Sequence, residues 1–257
     1  MADWPASGCL KFAYDPALAT WAAHADKAAL RAEGDTANSD WLRCGGTWFV
    51  GVNALQNDTA GRLPDGPHLT GLAIAAACAI SDAPLDRAQA SVCYPGYPKQ
   101  GPDESDNAFS YRRDRDAAHV DGLHRIMPGR RRKLLERHAY ILGIPLNDAP
   151  SDAAPFVIWE GGHEIMRKAL VARFTDIAPE NWAAEDVTAA YQAARRMVFE
   201  TCTRKTVHAQ VGEAYLVHRL AVHGVAPWPG GRGRRAIAYF RPELPSGEAS
   251  ADWLRAP

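Results

Sequence analysis

Short runs of β-branched and aromatic residues, several of them bounded by glycine or proline, dominate the chain beyond about residue 105. We predict strands at Phe109–Arg112, Ala139–Ile144, Pro155–Trp159, Thr206–Gln210, Ala214–Val222 and Arg235–Phe240. These strands do not alternate regularly with helices, which argues against a doubly wound parallel sheet. The pattern therefore predicts a mainly β fold with flanking helices, in which two sheets form a jelly roll.

Helical periodicity is confined to a few segments. Apolar residues recur at helical spacing in residues 17–33 and between Glu185 and Cys202, and the alanine-rich run Leu72–Ile80 is predicted to be a buried helix. A chain of 257 residues is long enough for one large domain. We expect residues 1–104 to form a helical and loop flank with early strands, and residues 105–242 to form the jelly-roll core.

Composition argues against several classes of partner. The 29 basic and 30 acidic residues give a formal net charge of −1, so no overall field attracts nucleic acid or an anionic membrane. The longest apolar run, Leu72–Ile80, is too short to span a bilayer. The five cysteines are scattered without a CxxC pair, and the first residues lack the pattern of a signal peptide. These features predict a cytoplasmic protein with reduced thiols.

Two histidines and one aspartate form a candidate metal site. In the sequence His119-Val120-Asp121 the first and third residues would face the same side of a strand. The third ligand must come from a distant strand, and His223 at the end of the predicted strand Ala214–Val222 suits that role. Gly224 would let the chain turn sharply after it. Two imidazoles and one carboxylate suit a non-haem Fe(II) site with open coordination positions.

Alternative residues exist for the third metal ligand and for the arginine near this site. His218 competes with His223 as a ligand, but it lies an odd number of residues earlier and would face the opposite way on a regular strand. We therefore expect His218 to be structural or to contact a ligand. Arg234 or Arg235, which leave opposite faces of one strand, could form a fork of hydrogen bonds to a carboxylate of a co-substrate.

These motifs resemble the Fe(II)/2-oxoglutarate-dependent dioxygenase superfamily and, within it, the phytanoyl-CoA dioxygenase-like branch. The resemblance covers about residues 105–242 and rests on His119-Val120-Asp121, Gly161-Gly162-His163, Gly212-Glu213, His218, His223-Gly224 and Arg234. It implies a cupin-like double-stranded β-helix that binds Fe(II) through His119, Asp121 and His223. It also implies that 2-oxoglutarate is held partly by Arg234, with Arg235 as the alternative.

The resemblance further implies hydroxylation of a small molecule with release of succinate and CO2. Halogenases of this superfamily have a small residue where this chain has Asp121, so the carboxylate indicates hydroxylation or a related oxidation. His163, His218, Tyr111 and Trp228 are candidates for contacts with the ligands or the substrate. The basic run Arg130–Lys133 indicates an anionic substrate, although such a run more often forms a solvated face.

Three other interpretations compete with the oxygenase. A zinc hydrolase is disfavoured because the chain has no HExxH motif. A cupin-like isomerase would not need the arginine after the last ligand. The non-enzymatic alternative is a cupin-like jelly roll that binds a metal or small ligand without turnover.

Overall fold

The computed structural model describes residues 4–244 and 250–255. Its α-helices are Pro16–Gly34 (α1), Leu72–Ile80 (α2), Asp106–Asp114 (α3), Gly162–Phe174 (α4), Thr188–Thr201 (α5) and Ser250–Arg255 (α6). Its strands are Cys9–Phe12 (β1), Leu42–Arg43 (β2), Trp48–Phe49 (β3), Gln89–Cys93 (β4), Leu123–Ile126 (β5), Arg131–Leu134 (β6), Tyr140–Pro145 (β7), Phe156–Trp159 (β8), Arg204–Val207 (β9), Ala214–His218 (β10), His223–Val225 (β11) and Arg235–Phe240 (β12). Short 3-10 helices occupy Thr36–Trp41 and Pro179–Ala184.

The strands of the jelly roll alternate between two sheets. The larger sheet has seven strands in the order β1-β10-β7-β12-β4-β3-β2, and the smaller has three in the order β11-β8-β9. Along the chain, β7 belongs to the large sheet, β8 and β9 to the small sheet, β10 to the large, β11 to the small and β12 to the large. All of these pairings are antiparallel. The fold is therefore mainly β with flanking helices, a jelly roll of the double-stranded β-helix type.

The two faces of the large sheet pack against different partners because successive side chains on a strand point to opposite sides. On the outer face, Leu216 and Ala238 lie in the same buried cluster as Trp21 of α1. On the inner face, Tyr215 and Tyr239 pack with Phe156 of the small sheet. β10 and β12 thus contribute to both an outer core and the interior between the sheets.

Several predicted elements differ from the structure. Residues Phe109–Arg112, predicted as a strand, lie in α3, where the Ser105 side chain accepts a hydrogen bond from the Ala108 amide and caps the helix. The strand predicted at Thr206–Gln210 begins earlier and ends at Val207. In the large sheet, β4 lies next to β12, so the sheet includes residues well before position 105.

The strand predicted at Ala214–Val222 is interrupted. β10 ends at His218, and the amides of Leu220 and Ala221 donate hydrogen bonds to the His218 ring and carbonyl, respectively, which closes a turn. β11 then begins at His223 in the other sheet. In the part of the chain that is described, no helix is long and apolar enough to cross a membrane.

Candidate metal centre

His119 and His223 lie directly opposite each other in an antiparallel bridge between two segments that are distant in the sequence. The His119 amide donates to the His223 carbonyl at 2.8 Å, and the His223 amide donates to the His119 carbonyl at 3.0 Å. The two imidazole ring centroids are 4.6 Å apart. The segment that carries His119 thereby extends the small sheet, since His223 begins β11.

Both imidazoles make the same local hydrogen bond. His119 Nδ1 lies 3.0 Å from the Ala117 carbonyl oxygen, and His223 Nδ1 lies 2.9 Å from the Ala221 carbonyl oxygen. A carbonyl can only accept, so each Nδ1 must carry the proton and donate it. In the neutral imidazole this leaves a lone pair on Nε2, the atom that can bind a metal.

Asp121 lies between the two Nε2 atoms. One of its oxygens is 3.2 Å from His119 Nε2 and the other is 3.6 Å from His223 Nε2. One potential ligand atom from each of the three residues lies within 4.8 Å of the other two. The side chains of Asp121 and His223 are 11% and 6% exposed, whereas that of His119 is 45% exposed. The site is thus enclosed on the His223 side and open on the His119 side.

The surroundings of Asp121 and His223 shift their pKa values in the directions that favour cation binding. Burial by itself would raise the pKa of Asp121, but opposing interactions, of which the charge of Arg241 is the largest, hold it well below its usual value. Burial also lowers the pKa of His223 to about 4. At neutral pH the centre therefore contains a charged carboxylate and a neutral His223 imidazole, the protonation states of metal ligands.

Gly224 allows a close backbone approach and does not form a turn. It lies within β11, where a Cβ atom would stand 2.1 Å from the Asp116 carbonyl oxygen. That carbonyl accepts a hydrogen bond from the Val225 amide at 2.9 Å. The prediction of a sharp turn after His223 is therefore wrong. Glycine is needed at this position because the backbone of the segment before His119 packs directly against it.

The segment before His119 is braced from two directions. Asp116, which is 4% exposed, accepts two hydrogen bonds from the Arg204 guanidinium at 2.7 and 2.8 Å. Asp116 and Ala117 both have positive φ angles, near 52°, which are unfavourable for residues with side chains. Tyr111 of α3 donates its hydroxyl to the Ala118 carbonyl at 2.6 Å. These contacts fix the carbonyl that orients the His119 ring.

Arg234, immediately before β12, and Arg235, its first residue, have opposite environments. Arg234 pairs with Asp26 and, at 3.1 Å, with Glu33, both on α1 outside the large sheet. Arg235 is buried, and one of its guanidinium nitrogens lies 3.5 Å from the Tyr239 hydroxyl. Its other terminal nitrogen, Nη1, is buried without a hydrogen-bond partner among the described residues. Arg235 therefore lies on the inner face of β12, in the same interior as Tyr239 and Tyr215.

Arg241 is a residue near the centre that the sequence reasoning missed. Its guanidinium lies 3.4 Å from Asp121 and also donates to the Gln89 side chain. The signal was available in principle, since residues 235, 237, 239 and 241 share one face of a strand with a period of two. It could be used only once the inner face of β12 was known.

The remaining candidate residues lie in other surroundings. The His163 ring lies 4.7 Å from that of His218, and the indole of Trp4 meets His218 edge-on at 5.3 Å. Both histidines are buried, and neither makes a described contact with the three ligand candidates. Trp228 is buried beside Tyr97 and exchanges backbone hydrogen bonds with residues 96 and 97.

Comparisons with known proteins found similar structures but no matching sequence. No family model matches the chain, and no curated protein sequence matches it. The structure resembles SnoK, a non-haem α-ketoglutarate-dependent carbocyclase from nogalamycin biosynthesis, at 15% identity and TM-score 0.47, over 91% of this chain and 79% of that one. It also resembles AviO1 from Streptomyces viridochromogenes Tue57, at 18% identity and TM-score 0.48, over 95% and 93% of the two chains.

A third similar structure is that of EctD from S. alaskensis with bound Fe, at 13% identity and TM-score 0.46, over 91% of this chain and 72% of that one. None of these three matches identifies a phytanoyl-CoA dioxygenase, so that branch of the superfamily stays a prediction.

Proposed function

We propose that this protein is an Fe(II)- and 2-oxoglutarate-dependent oxygenase that hydroxylates a small molecule. The observation that carries the proposal is the grouping of His119, Asp121 and His223 on one side of a jelly roll, with their ligand atoms within 4.8 Å. Two imidazoles and one carboxylate would hold an Fe(II) ion and leave further coordination positions for co-substrate and oxygen.

The donor set fits a divalent iron. Each histidine is held by a carbonyl two residues earlier, so the ring presents Nε2 without further rearrangement. Asp121 supplies a charged oxygen between the rings. A closed structural zinc site usually has four protein ligands, whereas three ligands with an exposed side are typical of a site that binds substrate.

Arg235 is the residue that we propose for the distal carboxylate of 2-oxoglutarate, in preference to Arg234. A buried guanidinium nitrogen without an acceptor is energetically costly, and a carboxylate would satisfy it. The Tyr239 hydroxyl, which can accept a hydrogen bond from that of Tyr215 at 2.8 Å, could donate to the same carboxylate. A small cavity bordered by Arg235 and Tyr215 adjoins this guanidinium.

Contacts connect this arginine to the metal ligands through the interior. Arg235 contacts Tyr239, whose ring centroid is 6.1 Å from that of Phe156. Phe156 in turn stacks on His223 at 5.4 Å. These aromatic rings exclude water from the buried side of the centre. The substrate would approach from the opposite side, where the His119 side chain is 45% exposed.

Iron and 2-oxoglutarate, when bound, would supply an oxidant derived from dioxygen, with succinate and CO2 as co-products. In this proposal the chain itself orients the two imidazoles, keeps Asp121 ionised, binds the co-substrate carboxylate and shields the centre from solvent.

The test is an anaerobic titration of the purified protein with Fe(II), with and without 2-oxoglutarate, followed by visible absorption. We expect a weak metal-to-ligand charge-transfer band only when both are present, and its loss in Asp121→Ala. Succinate formation should depend on the same residue. A folded wild-type protein that binds Fe(II) but gives no such band with 2-oxoglutarate would overturn the oxygenase and favour a metal-binding jelly roll without turnover.

A further inference from the structure

Four arginines gather beside the segment that leads to His119. They are Arg115 at the end of α3, Arg125 on β5, Arg132 on β6 and Arg195 on α5, and we refer to them as the arginine cluster. None of them belongs to the metal centre or to the interior between the sheets. Arg132 was part of the basic run noted in the sequence, but the other three come from separate segments.

Aromatic rings hold these side chains in place. The Arg195 guanidinium carbon lies 4.9 Å from the ring centroid of Tyr111 and 5.0 Å from that of Tyr191. Arg132 lies 5.3 Å from the Tyr191 ring, so one ring serves two guanidinium groups. Arg115 lies 5.1 Å from the ring of Phe199. Arg132 also donates from Nη1 to the Leu123 carbonyl at 2.7 Å, and Arg195 donates from Nη1 to the Tyr191 hydroxyl at 3.4 Å. Stacking on aromatic faces orders guanidinium groups and leaves their remaining N–H groups for a ligand.

The cluster brings like charges together. Arg125 and Arg132 stand directly opposite each other in the β5–β6 hairpin, an arrangement that is destabilising for like charges. Burial, together with the charges of Arg195 and Arg125, lowers the pKa of Arg132. An anion placed among these groups would relieve the repulsion.

Several neighbouring arginines form ion pairs with carboxylates, whereas those of the cluster do not. Arg113 pairs with Asp114, Arg131 with Asp186 and Arg204 with Asp116. Within residues 4–244 and 250–255, no carboxylate forms an ion pair with any member of the cluster. The chain has a formal net charge of −1, so this excess of positive charge is local.

Tyr111 links the cluster to the metal centre. The Arg195 guanidinium stacks on its ring, and its hydroxyl donates a hydrogen bond to the carbonyl of Ala118, the residue before His119, at 2.6 Å. His119 is the ligand candidate with the most exposed side chain, at 45%. Tyr111 thus contacts both a member of the cluster and the segment that carries this ligand candidate.

We propose that the arginine cluster binds a phosphate or pyrophosphate group of the substrate, so that the proposed oxygenase acts on a phosphorylated small molecule. The assignment of this group to a substrate rests on the proposed function, but the anion site itself does not. Several guanidinium groups suit the multiple charges and oxygens of phosphate better than a single carboxylate. The neutral charge balance of the whole chain favours a small molecule over nucleic acid.

The direct test is calorimetric titration of the metal-free protein with inorganic pyrophosphate at low ionic strength. We expect saturable binding that weakens as salt is added. Arg195→Gln should weaken this binding by roughly 10-fold or more, because it removes a charge-assisted pair of hydrogen bonds. Arg196→Gln is the matched control, since Arg196 is the next residue on α5 and is exposed.

Additional variants keep the test independent of folding. Arg195→Lys, which retains the charge, should bind pyrophosphate more tightly than Arg195→Gln. Arg115→Gln changes an exposed residue and should also weaken binding if the cluster acts as a unit. Unfolding curves for each variant would show whether the fold is kept. Absence of binding to the wild type, or equal binding by Arg195→Gln and Arg196→Gln, would overturn the proposal.

Two further measurements separate this proposal from the others. Tighter binding of a short single-stranded oligonucleotide than of pyrophosphate, with the same dependence on Arg195, would replace the small molecule with nucleic acid. Fe(II) and 2-oxoglutarate binding should be unchanged in Arg195→Gln. Pyrophosphate binding without the charge-transfer band would overturn the proposed oxygenase activity but support the anion site. A charge-transfer band without pyrophosphate binding would overturn only the anion site.

Discussion

Arg234 and Arg235 are adjacent in the chain, yet their guanidinium groups lie on opposite sides of the large sheet. Arg234 pairs with Asp26 and Glu33 of α1 on the outer side, whereas Arg235 lies in the interior near Tyr239. The cause is the alternation of side chains along β12. Arg234 links α1 to the large sheet through its ion pairs, whereas Arg235 is available to bind a buried anion.

This relationship gives a paired prediction for co-substrate binding. Arg235→Gln should weaken 2-oxoglutarate binding to the Fe(II) protein by roughly 10- to 100-fold, because a hydrogen bond to a charged group contributes about 1.5–3 kcal/mol. Arg234→Gln should leave that affinity unchanged but lower the free energy of unfolding, since it removes two ion pairs. Titration of the charge-transfer band and urea denaturation measure the two effects, and the reverse result would return the role to Arg234.

The ion pair between Arg204 and Asp116 should influence metal affinity without contacting the metal. It holds the backbone whose Ala117 carbonyl orients His119. Arg204→Gln should weaken Mn(II) or Fe(II) binding by roughly 10-fold or more, as expected for residues that orient ligands. Lys205→Gln, at the next position of β9, is a suitable control. Equal metal affinities in the two variants would show that the pair stabilises the fold only.

Gly224 should not tolerate a side chain. In Gly224→Ala the new methyl group would meet the Asp116 carbonyl at 2.1 Å, so the two backbone segments must separate. We expect a loss of about 1–3 kcal/mol in the free energy of unfolding, typical of overpacking, together with weaker metal binding. Gly230→Ala provides the comparison because no atom lies within 4 Å of the position of its Cβ. Thermal unfolding and metal titration would detect both effects.

Glu136 should make the stability of the fold depend on acid pH. The hydrogen bond from His138 lowers the Glu136 pKa to about 2, against the opposing effect of burial and with help from His124. A carboxyl with a depressed pKa stabilises the folded state above its ordinary pKa of 4.5, and that contribution is lost as the pH falls from 4.5 towards 2.

Wild type should therefore be more stable than Glu136→Gln at pH 7, and the difference should shrink through that acid window. Glu200→Gln, at an exposed position on α5, should show no such convergence. Denaturation curves at several pH values test this, and a constant difference between wild type and Glu136→Gln would contradict it.

Local pattern was sufficient for much of the fold. The buried β-branched runs identified β7, β8 and β12, because a strand buried on both faces needs apolar residues at nearly every position. The strand prediction at Phe109–Arg112 was wrong for an equally local reason. Phe109 and Tyr111 made that segment look like a strand, but the Ser105 cap and the charges of α3 favour a helix.

The sequence alone determined which residue types could form the centre, since His119-Val120-Asp121 and His223 together supply two imidazoles and one carboxylate. In the structure His119 lies in an isolated bridge and Asp121 in a turn, so their grouping does not come from alternation along a strand. Only the tertiary structure decided that His223 stands opposite His119 and that Arg235 and Arg241 face the interior. Spacing along one strand fixes which side chains share a face. It does not fix which face the packing of the two sheets will bury, because that depends on segments far apart in the chain.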